Sequence, residues 1–397
     1  MDETSGRGGR CVGRRASACG VTVGIHRLPA PRIAAHRIDI ALRAPAEQRV
    51  REPRIGVDLG DIAGASPDDP ALARAAEWLI DNQIFKPGDW SVYNPDLDPG
   101  GWAFEFANDW YPDVDDSAVI LMVLRRLRLD DPVRLERSIA RGMHWTVGMQ
   151  CRNGGYAAFD TDNDAAFLNE IPFADMKAMI DPPTEDLTGR VLELMGNAGF
   201  DLDFSRARRA RDFLLRTQHA NGAWWGRWGS NFIYGTWSAL LGLQAIGEDM
   251  DAPYVKRAVR WLEEHQNADG GWGETLGSYD DPSLAGRGPS TPSQTAWAIM
   301  GLLAAQRTVS PAVERGVRYL IETQSDGTWA EEPFTGTGFP GHFYLRYTMY
   351  REYFPLMALG QARAALEAAV TVPLSFETER VAVARAPLVE RAAAASA

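Results

Sequence analysis

The chain has 397 residues, of which 45% are hydrophobic and 24% charged, and its formal net charge is -12. This composition is typical of a globular protein, and the negative charge argues against a nucleic-acid-binding protein. The three cysteines form no framework of pairs, which fits a reducing compartment and excludes a disulfide-stapled fold. No apolar run reaches the length of about 18 residues that a membrane-spanning helix needs, although binding to one leaflet remains compatible with the sequence.

The first 66 residues differ from the rest of the chain. Residues 1–56 contain eleven arginines and five acidic residues, so this segment carries +6 while the remainder carries -18. Its hydrophobic residues follow no sustained period, and it lacks the order of a secretory signal. We assign residues 1–66 no function and expect disorder or a wrongly assigned start, with an arginine-rich transit peptide left open.

A pattern of helix, glutamine, glycine turn and aromatic residue recurs five times from Asp69 onward. The glutamines are Gln83, Gln150, Gln218, Gln266 and Gln324. The aromatic residues that follow them are Trp90, Tyr156, Trp224, Trp272 and Trp329. The glutamines lie 67, 68, 48 and 58 residues apart, a spacing typical of stacked helical hairpins with variable insertions.

These repeats predict an all-α fold that closes into an α/α toroid, a barrel of inner and outer helices. Helix-period segments such as 236–245 and 293–305 lie between the motifs, and strand-like alternation is scarce. We expect each glutamine to cap backbone groups at the next helix end, with the aromatic ring packed on it and on the glycine turn. The barrel is predicted over residues 67–365, followed by a carboxyl-terminal tail over 366–397.

Three aspartates stand within four residues at the start of the apolar run 119–127. Asp113 follows a proline and is predicted as a helix N-cap, while Asp115 and Asp116 fall in the first turn, where the helix dipole favours negative charge. An acid-rich helix start is common, so a purely structural role is one interpretation. However, crowded carboxylates cannot all ionise, and the group that keeps its proton can act as a general acid. Such an acid suits a very weak base, for example a carbon–carbon double bond.

The sequence predicts no metal site. The spacing of Asp160, Asp162 and Asp164 resembles that of a calcium-binding loop. An EF-hand needs glycine at the position of Ala165 and glutamate at that of Ile171, so the sequence favours a polar turn. The Asp113 motif lacks the Asp-Asp-x-x-Asp spacing of a diphosphate-ionising magnesium site. A zinc site is disfavoured as well, because the cysteines are accompanied only by six scattered histidines.

The Asp113-Val-Asp-Asp116 motif, together with the five repeats, resembles the squalene-hopene cyclases, the bacterial triterpene cyclases. The further stretches that carry this resemblance are Pro99–Trp110, Gly226–Gly229, Ser290–Trp297 and Thr335–Tyr350. The likeness covers about residues 69–361 and corresponds to the carboxyl-terminal half of such cyclases, which holds the acid-bearing α/α barrel. The family's amino-terminal barrel has no counterpart in these residues, so the resemblance predicts a fragment.

The resemblance implies that Asp115 is the proton donor and that Asp113 and Asp116 tune it. The family places a histidine beside this acid, within a Glu-Asp-x-Thr-x-His stretch, and Arg190 stands at that position here. Arginine can supply the positive charge but cannot titrate near pH 7 or pass on a proton. Arg190 can therefore fill the electrostatic role of the family's histidine, but a role in reprotonating the acid does not follow for it. The alternative for Arg190 is a surface ion pair.

The resemblance also implies a cavity wall of aromatic rings, which stabilise carbocations without reacting with them. The implied residues are Phe104, Phe159, Trp228, Tyr234, Phe339, Phe343 and Tyr347, with Tyr350 as a further candidate. Ordinary core packing is the alternative for each of them. The stretch 167–174 resembles the constriction of the family's substrate channel, or is an ordinary loop.

The function that the resemblance implies is acid-initiated cyclisation of squalene to hopene-type pentacycles in hopanoid synthesis, without metal or organic cofactor. The protein would lie in one leaflet, on the cytoplasmic side of a bacterial membrane, and a homodimer is left open. Two alternatives remain: a class II diterpene cyclase, which uses the same acid motif on a diphosphate, and a catalytically silent barrel that acts as a scaffold. A basic diphosphate-binding cluster would favour the diterpene cyclase, but the only lysines are Lys86, Lys177 and Lys256.

Overall fold

The computed structural model describes residues 69–371, so the segment 1–66, Cys11, Cys19 and the end of the predicted tail lie outside the described residues. The α-helices are α1 Pro70–Asp81, α2 Val114–Leu124, α3 Pro132–Gly148, α4 Glu185–Asn197, α5 Ser205–Thr217, α6 Phe232–Ala245, α7 Pro253–Glu264, α8 Pro292–Gln306, α9 Pro311–Thr323 and α10 Tyr350–Thr371. The predicted helical segments 236–245 and 293–305 lie within α6 and α8. The last helix crosses the predicted domain end at residue 365.

Short strands form two antiparallel ribbons. The first pairs β1, Trp102–Ala103, with β2, Pro112–Asp113, and the second pairs β3, Gly336–Phe339, with β4, Phe343–Leu345. In the first ribbon Trp102 opposes Asp113, so strand pairing fixes the backbone immediately before α2. Short 3₁₀ turns occupy Asp89–Val92, Ala166–Glu170, Asp175–Lys177, Leu276–Tyr279 and Pro282–Leu284.

The helices form two layers, which confirms the all-α toroid. Helices α2, α4, α6, α8 and α10 pack side by side in that order, and α3, α5, α7 and α9 pack outside them. The inner helices α6 and α8 are buried on nearly every side, as expected for helices without a polar face. The outer helix α7 buries only one stripe, which includes Trp261 and Leu262. None of the helices in residues 69–371 combines the length and apolar character needed to cross a membrane.

The repeated glutamine ties consecutive outer helices together. Gln150 follows α3, and its Nε2 donates to the carbonyl of Gly154 at 2.9 Å and to that of Arg206 in the first turn of α5 at 2.8 Å. Equivalent pairs of bonds are made by Gln218 to Gly222 and Tyr254 and by Gln266 to Gly270 and Ala312. The acceptors are first-turn carbonyls, whereas the unpaired groups of a helix start are N–H groups. The expected capping of unpaired groups is therefore wrong, and the glutamine acts as a brace.

The glycine of the motif allows a close approach between repeats. Gly154 has a φ of 95°, and a Cβ atom there would overlap the carbonyl oxygen of Arg209 on α5. Gly222 and Gly270 have φ values of 96° and 88° and meet the next repeat in the same way. Both the positive φ and the contact exclude a larger residue.

The first repeat was assigned to the wrong tryptophan by its sequence pattern. In later repeats an indole N–H donates to the carbonyl four residues before the glutamine, as Trp272 does to Leu262 at 2.7 Å. In the first repeat this bond is made by Trp102 to Leu79 at 2.6 Å, and Gln83 donates to Gly100 at 2.7 Å. The insertion before Gly100 contains Gly88 and Trp90, which resemble the glycine and tryptophan of the repeat but do not make its bonds.

A repeated hydroxyl joins the outer motif to the inner helices. The backbone N–H groups of Trp102, Tyr156, Trp224 and Trp272 donate to the hydroxyls of Ser117, Thr188, Thr236 and Thr295 at distances between 2.8 and 3.0 Å. These hydroxyls lie on α2, α4, α6 and α8. Ser117 directly follows the three aspartates, so this bond fixes the turn of α2 that carries them.

Candidate active site

The acid motif lies at the amino-terminal end of α2. Asp113 adopts extended backbone angles and its carboxylate accepts the N–H of Asp116 at 3.0 Å, which confirms the predicted N-cap. Asp115 and Asp116 occupy the first turn, as predicted. The N–H of Val114 donates to the carbonyl of Ala158 at 2.8 Å, which joins the helix start to the loop that carries Phe159.

Arg190 reaches the acid motif from α4. Its Nε donates to Asp115 Oδ1 at 2.9 Å, and its Nη1 lies 3.5 Å from Glu193 Oε2. On α6, the hydroxyl of Tyr234 lies 3.5 Å from Nη2, and the ring centre of Trp237 lies 5.0 Å from the guanidinium carbon. Arg190 is only 9% exposed, so the interpretation as a surface ion pair is wrong.

Burial and mutual repulsion favour the protonated forms of two of the three aspartates. Burial, with the charges of Asp116 and Asp115, raises the pKa of Asp113 well above its usual range. Burial and the charge of Asp115 raise the pKa of Asp116 to about 7, although Arg190 opposes the rise. At neutral pH this cluster therefore holds protons that isolated surface aspartates would have released.

Negative charge around Arg190 keeps its guanidinium charged. Burial alone would lower the pKa of Arg190, but the carboxylates of Asp115 and Glu193 carry it well above its usual range. The guanidinium is thus a permanent cation beside Asp115. A carboxyl beside such a cation, at the positive end of a helix, leaves a stabilised carboxylate after it gives up its proton.

One group of the predicted aromatic residues forms a continuous chain of rings next to the acids. The ring centres of Phe104 and Tyr347 lie 6.5 Å apart, and those of Tyr347 and Tyr350 lie 4.7 Å apart. Burial, followed by the charges of Asp116, Asp113 and Asp115, raises the pKa of Tyr347 to about 12, which places this ring near the acid motif. Phe104 is 56% exposed, so core packing does not explain it.

A second group, Phe159 and Trp228, lies beside the start of α2. Their rings meet edge to face with centres 5.9 Å apart. The carboxylate of Asp186, in the first turn of α4, accepts the backbone N–H of Trp228 at 2.9 Å. These contacts hold the loop before α6 against the helices that carry Asp115 and Arg190.

The remaining pair, Phe339 and Phe343, lies on the β3–β4 ribbon. Their ring centres are 6.4 Å apart, and the ring of Phe343 covers Gly338, where a Cβ atom would meet it at 2.5 Å. The N–H of Thr337 donates to the carbonyl of Trp228 at 3.1 Å, which attaches the ribbon to the second group. Phe343 is 39% exposed and, like Phe104, is not a core residue.

Tyr234 differs from the rest of the predicted wall because it is 4% exposed. Its ring packs edge-on against Trp237 and Trp297, with centres 5.3 and 4.9 Å away. Burial and the charge of Asp115 raise the pKa of its hydroxyl well above the usual range. Tyr234 therefore contacts Arg190 from within the barrel, where its hydroxyl stays protonated.

Sequence reasoning missed three neighbours of the acid. Glu193 lies three residues after Arg190 on the same helical face, a spacing that could have revealed it. Trp237 packs on the guanidinium face. Burial and the charge of Asp115 raise the pKa of Tyr353 on α10, although Arg190 opposes the rise. Nothing local in the sequence relates Trp237 or Tyr353 to α2, because only the ring of inner helices brings them together.

The other candidate sites have structural explanations. The turn at 160–164 is held by its own polar groups, since Asp162 accepts from the backbone and side chain of Arg152, and Asp181 accepts the N–H of Asp160. No group of three potential metal ligands occurs within residues 69–371. Cys151 is buried and unpaired. The stretch 167–174 contains a 3₁₀ turn and exposes Phe167 and Phe173.

Comparison with protein families gives a match over most of the chain. Residues 58–364 match the family described as the squalene-hopene cyclase C-terminal domain. The squalene–hopene cyclase of Alicyclobacillus acidocaldarius is 52% identical over 306 residues, which are 77% of this chain and 48% of that protein. The dammaradiene synthase of Dryopteris crassirhizoma is 47% identical, over 78% of this chain and 49% of its own length. The chain spans about half the length of the curated relatives it matches.

Solved structures agree on the fold. The type II terpene cyclase MstE from Scytonema aligns with a TM-score of 0.51 and 18% identity, over 78% of this chain and 86% of that one. A variant of MstE in complex with geranylgeranyl dihydroxybenzoate aligns with a TM-score of 0.53 and 17% identity, over 77% and 86% of the two chains. At this identity the likeness extends to the helical architecture only.

Proposed function

The chain belongs to the squalene-hopene cyclase family, and we propose that it is the acid-bearing part of an enzyme that cyclises squalene to hopene-type pentacycles. The observation that carries this proposal is the contact between Asp115 and the buried guanidinium of Arg190 at the start of α2. Two of the aromatic residues that the family resemblance assigns to the cavity wall, Phe104 and Phe343, have partly exposed rings that a ligand could contact. The relatives from Alicyclobacillus acidocaldarius and Zymomonas mobilis, named squalene–hopene cyclases, support the choice of substrate.

In the proposed mechanism Asp115 is the general acid. The terminal double bond of squalene takes the proton with its π electrons, which leaves a tertiary carbocation on carbon and a carboxylate on Asp115. Arg190 and the dipole of α2 stabilise that carboxylate. Burial raises the pKa of both Asp113 and Asp116, which limits the negative charge that they add beside the acid.

The aromatic residues act in the later steps of the proposed mechanism. Successive double bonds attack the cation and close the rings, and each new cation lies against a ring face. Phe339 and Phe343, on the β3–β4 ribbon, stabilise late cations, while Phe159 and Trp228 line the wall beside α2. The reaction ends when a proton is lost from a carbon next to the cation or when water captures the cation. The proton itself is the electrophile that starts the reaction, so the mechanism requires no metal or organic cofactor.

The class II diterpene cyclase alternative is less well supported, because it needs cations for a diphosphate. Each lysine forms an exposed ion pair with an acid: Lys86 with Asp109, Lys177 with Glu170 and Lys256 with Asp251. Near Tyr347, two arginines border a cavity of about 230 Å³, but both are engaged by the chain. Arg346 bonds the carbonyl of Glu332, and Arg351 pairs with Glu352 at 3.4 Å. A silent scaffold is also disfavoured, because the acid and its cation are both retained.

We further propose that the protein lies in one leaflet, on the cytoplasmic side of the membrane, through the segment 167–179. Phe167 and Phe173 are exposed there, together with Met176 and Met179. Exposed apolar side chains in one segment suit insertion into the interface of a bilayer. Flotation with phosphatidylcholine vesicles tests this directly. The wild type should float and a variant with both phenylalanines changed to serine should not, whereas equal flotation of the two would exclude this segment as the anchor.

The activity can be tested with squalene in D₂O. The assay uses the 397-residue chain in detergent and a chimera in which the part of the Alicyclobacillus enzyme that precedes the matched region is joined to residues 58–397. We expect pentacyclic products that carry one deuterium from the initiating acid, detected by gas chromatography with mass spectrometry. Turnover of geranylgeranyl diphosphate but not squalene by the chimera would favour the diterpene cyclase. Turnover of neither substrate would refute the proposed activity.

A further inference from the structure

Arg190 creates a charge problem for a carboxyl that must hold its proton until the substrate arrives. The guanidinium cannot be neutralised by losing a proton. While Asp115 is protonated it is uncharged, and its bond to Arg190 then provides no negative charge. A buried and unpaired cation is unfavourable, so Arg190 alone would drive the proton off Asp115 before catalysis. The acid can stay loaded only if another anion neutralises Arg190.

Glu193 is placed to be that anion. It lies one turn after Arg190 on α4, and its Oε2 is 3.5 Å from Nη1, on a different edge of the guanidinium from the Nε that bonds Asp115. Tyr234 and Trp237 contact the same guanidinium but carry no negative charge. Within residues 69–371, Glu193 and Asp115 are the two carboxylates in ion-pair contact with Arg190.

We propose that Glu193 is a positioning residue for the acid: it is the counterion that neutralises Arg190 while Asp115 carries the proton. This inference rests on the proposed function, in which Asp115 is the donor. Before the reaction Asp115 then holds the proton and Glu193 holds the negative charge. After Asp115 has given its proton to the substrate, both carboxylates are ionised and Arg190 contacts both of them.

The other ionisable groups around the site do not replace Glu193. On α2, Asp113 is engaged as the N-cap, and burial is the main cause that raises the pKa of Asp116 to about 7. Among the described residues, Arg190 has ion-pair contacts with Asp115 and Glu193 but not with Asp116. On α4, the carboxylate of Asp186 is committed to the backbone of residues 227 and 228. The tyrosines that face the acids from α6 and from the segment of α10 stay neutral, and they are Tyr234, Tyr347, Tyr350 and Tyr353.

The ionisation of Glu193 depends on the state of Asp115. Burial raises the pKa of Glu193 overall, although Arg190 and then Arg126 lower it, and the charge of Asp115 adds to the rise. Protonation of Asp115 removes that last repulsion. Glu193 therefore ionises more readily in the state in which Asp115 holds its proton, as a counterion for the loaded acid should.

The test compares Glu193→Gln, which keeps the shape but removes the charge, with Glu193→Asp, which keeps the charge. Glu248→Gln is the matched control, because it also removes a carboxylate that pairs with an arginine. Glu248 follows α6, and its Oε2 lies 3.0 Å from Nη1 of Arg211 on α5. The first readout is the pH profile of squalene cyclisation by the chimera. The second is infrared titration of the protonated carboxyl band that the Asp115→Asn variant lacks, measured on the 397-residue chain.

In Glu193→Gln we expect the alkaline limb of the pH profile to lie about one pH unit lower than in the wild type, so that turnover on the alkaline side falls about tenfold. Turnover at about pH 5 should be retained, Glu193→Asp should recover most of the alkaline activity, and Glu248→Gln should match the wild type. An unchanged profile, or an equal loss at every pH, would overturn the assignment.

The infrared band separates this inference from the proposed function. If the wild type fails to cyclise squalene, the proposed function fails, yet the band still reports whether Glu193 holds the proton on Asp115. If Glu193→Gln does not fold, Glu193→Asp provides the test. Its carboxylate lies one methylene further from Arg190, so the infrared band should titrate at a lower pH than in the wild type, by a smaller amount than expected for Glu193→Gln. A band that titrates as in the wild type would refute the role of Glu193.

Discussion

Replacing Asp116 with asparagine should make the stability of the protein less dependent on pH. Burial and the charge of Asp115 raise the pKa of Asp116 from 3.8 to about 7. Between those two pH values the folded protein holds a proton that the unfolded chain has released. The folded state binds more protons, so the contribution of this group to stability falls as the pH rises. Asparagine has nearly the same shape and no charge, so the variant lacks this loss.

The size of the effect follows from the same shift. A rise from 3.8 to about 7 corresponds to ~4 kcal/mol at 1.36 kcal/mol per pH unit. The charges of neighbouring aspartates contribute to this rise, so part of the energy belongs to the group of three and not to Asp116 alone. We therefore expect Asp116→Asn to gain roughly 2 to 4 kcal/mol over the wild type between about pH 4.5 and about pH 8.

The assay is urea unfolding of the 397-residue chain, followed by tryptophan fluorescence at both pH values. Asp251→Asn is the control, since its carboxylate is 87% exposed and pairs with Lys256, and its effect should differ by less than about 0.5 kcal/mol between the two pH values. If the difference between Asp116→Asn and the wild type is constant with pH, or reverses in sign, Asp116 is not held protonated by its surroundings.

Three further predictions concern the repeats and the aromatic wall. Trp102→Phe should destabilise the chain by ~1 kcal/mol more than Trp90→Phe in urea unfolding, because of these two tryptophans it is Trp102 whose indole N–H donates a hydrogen bond, to the carbonyl of Leu79. Equal effects would show that Trp90 is the repeat's tryptophan after all. Phe343→Ala in the chimera should weaken late-cation stabilisation by roughly 0.5 to 2 kcal/mol and yield incompletely cyclised products, whereas an unchanged product profile by gas chromatography would remove it from the site. The 397-residue chain should cyclise squalene much more slowly than the chimera, because Phe104 and Phe343 are exposed in it and water can reach and quench the cations beside them. Equal rates in detergent would contradict this.

Local features of the site could be predicted from the sequence because they depend on neighbouring residues. The N-cap of Asp113 follows from a proline, an acid and an apolar run, and the structure has the expected bond to Asp116. The contact between Asp115 and Arg190 joins residues 75 positions apart, and only the family resemblance related them. The deep burial of Arg190 could not be predicted, because arginines are usually exposed and the ring of inner helices decides which are enclosed.

The errors in the repeats have a common physical cause. The bonds that define a repeat run between helices, so their sequence separation depends on the insertions between them. The hydroxyl that accepts from the aromatic N–H lies 15 residues on in the first repeat, at Ser117, but 32 residues on for Thr188. A search for a fixed spacing therefore chose Trp90 over Trp102 and overlooked the hydroxyls.

The most direct test of the proposed chemistry is single-turnover cyclisation of squalene by Asp115→Asn in the chimera, measured beside the wild type. Asparagine preserves the shape of the side chain and can accept a bond from Arg190, but it has no acidic proton to give. The proposed mechanism predicts a folded variant, with an unchanged circular dichroism spectrum, that forms no cyclic product. Cyclisation by this variant at a rate near that of the wild type would show that the proton comes from elsewhere.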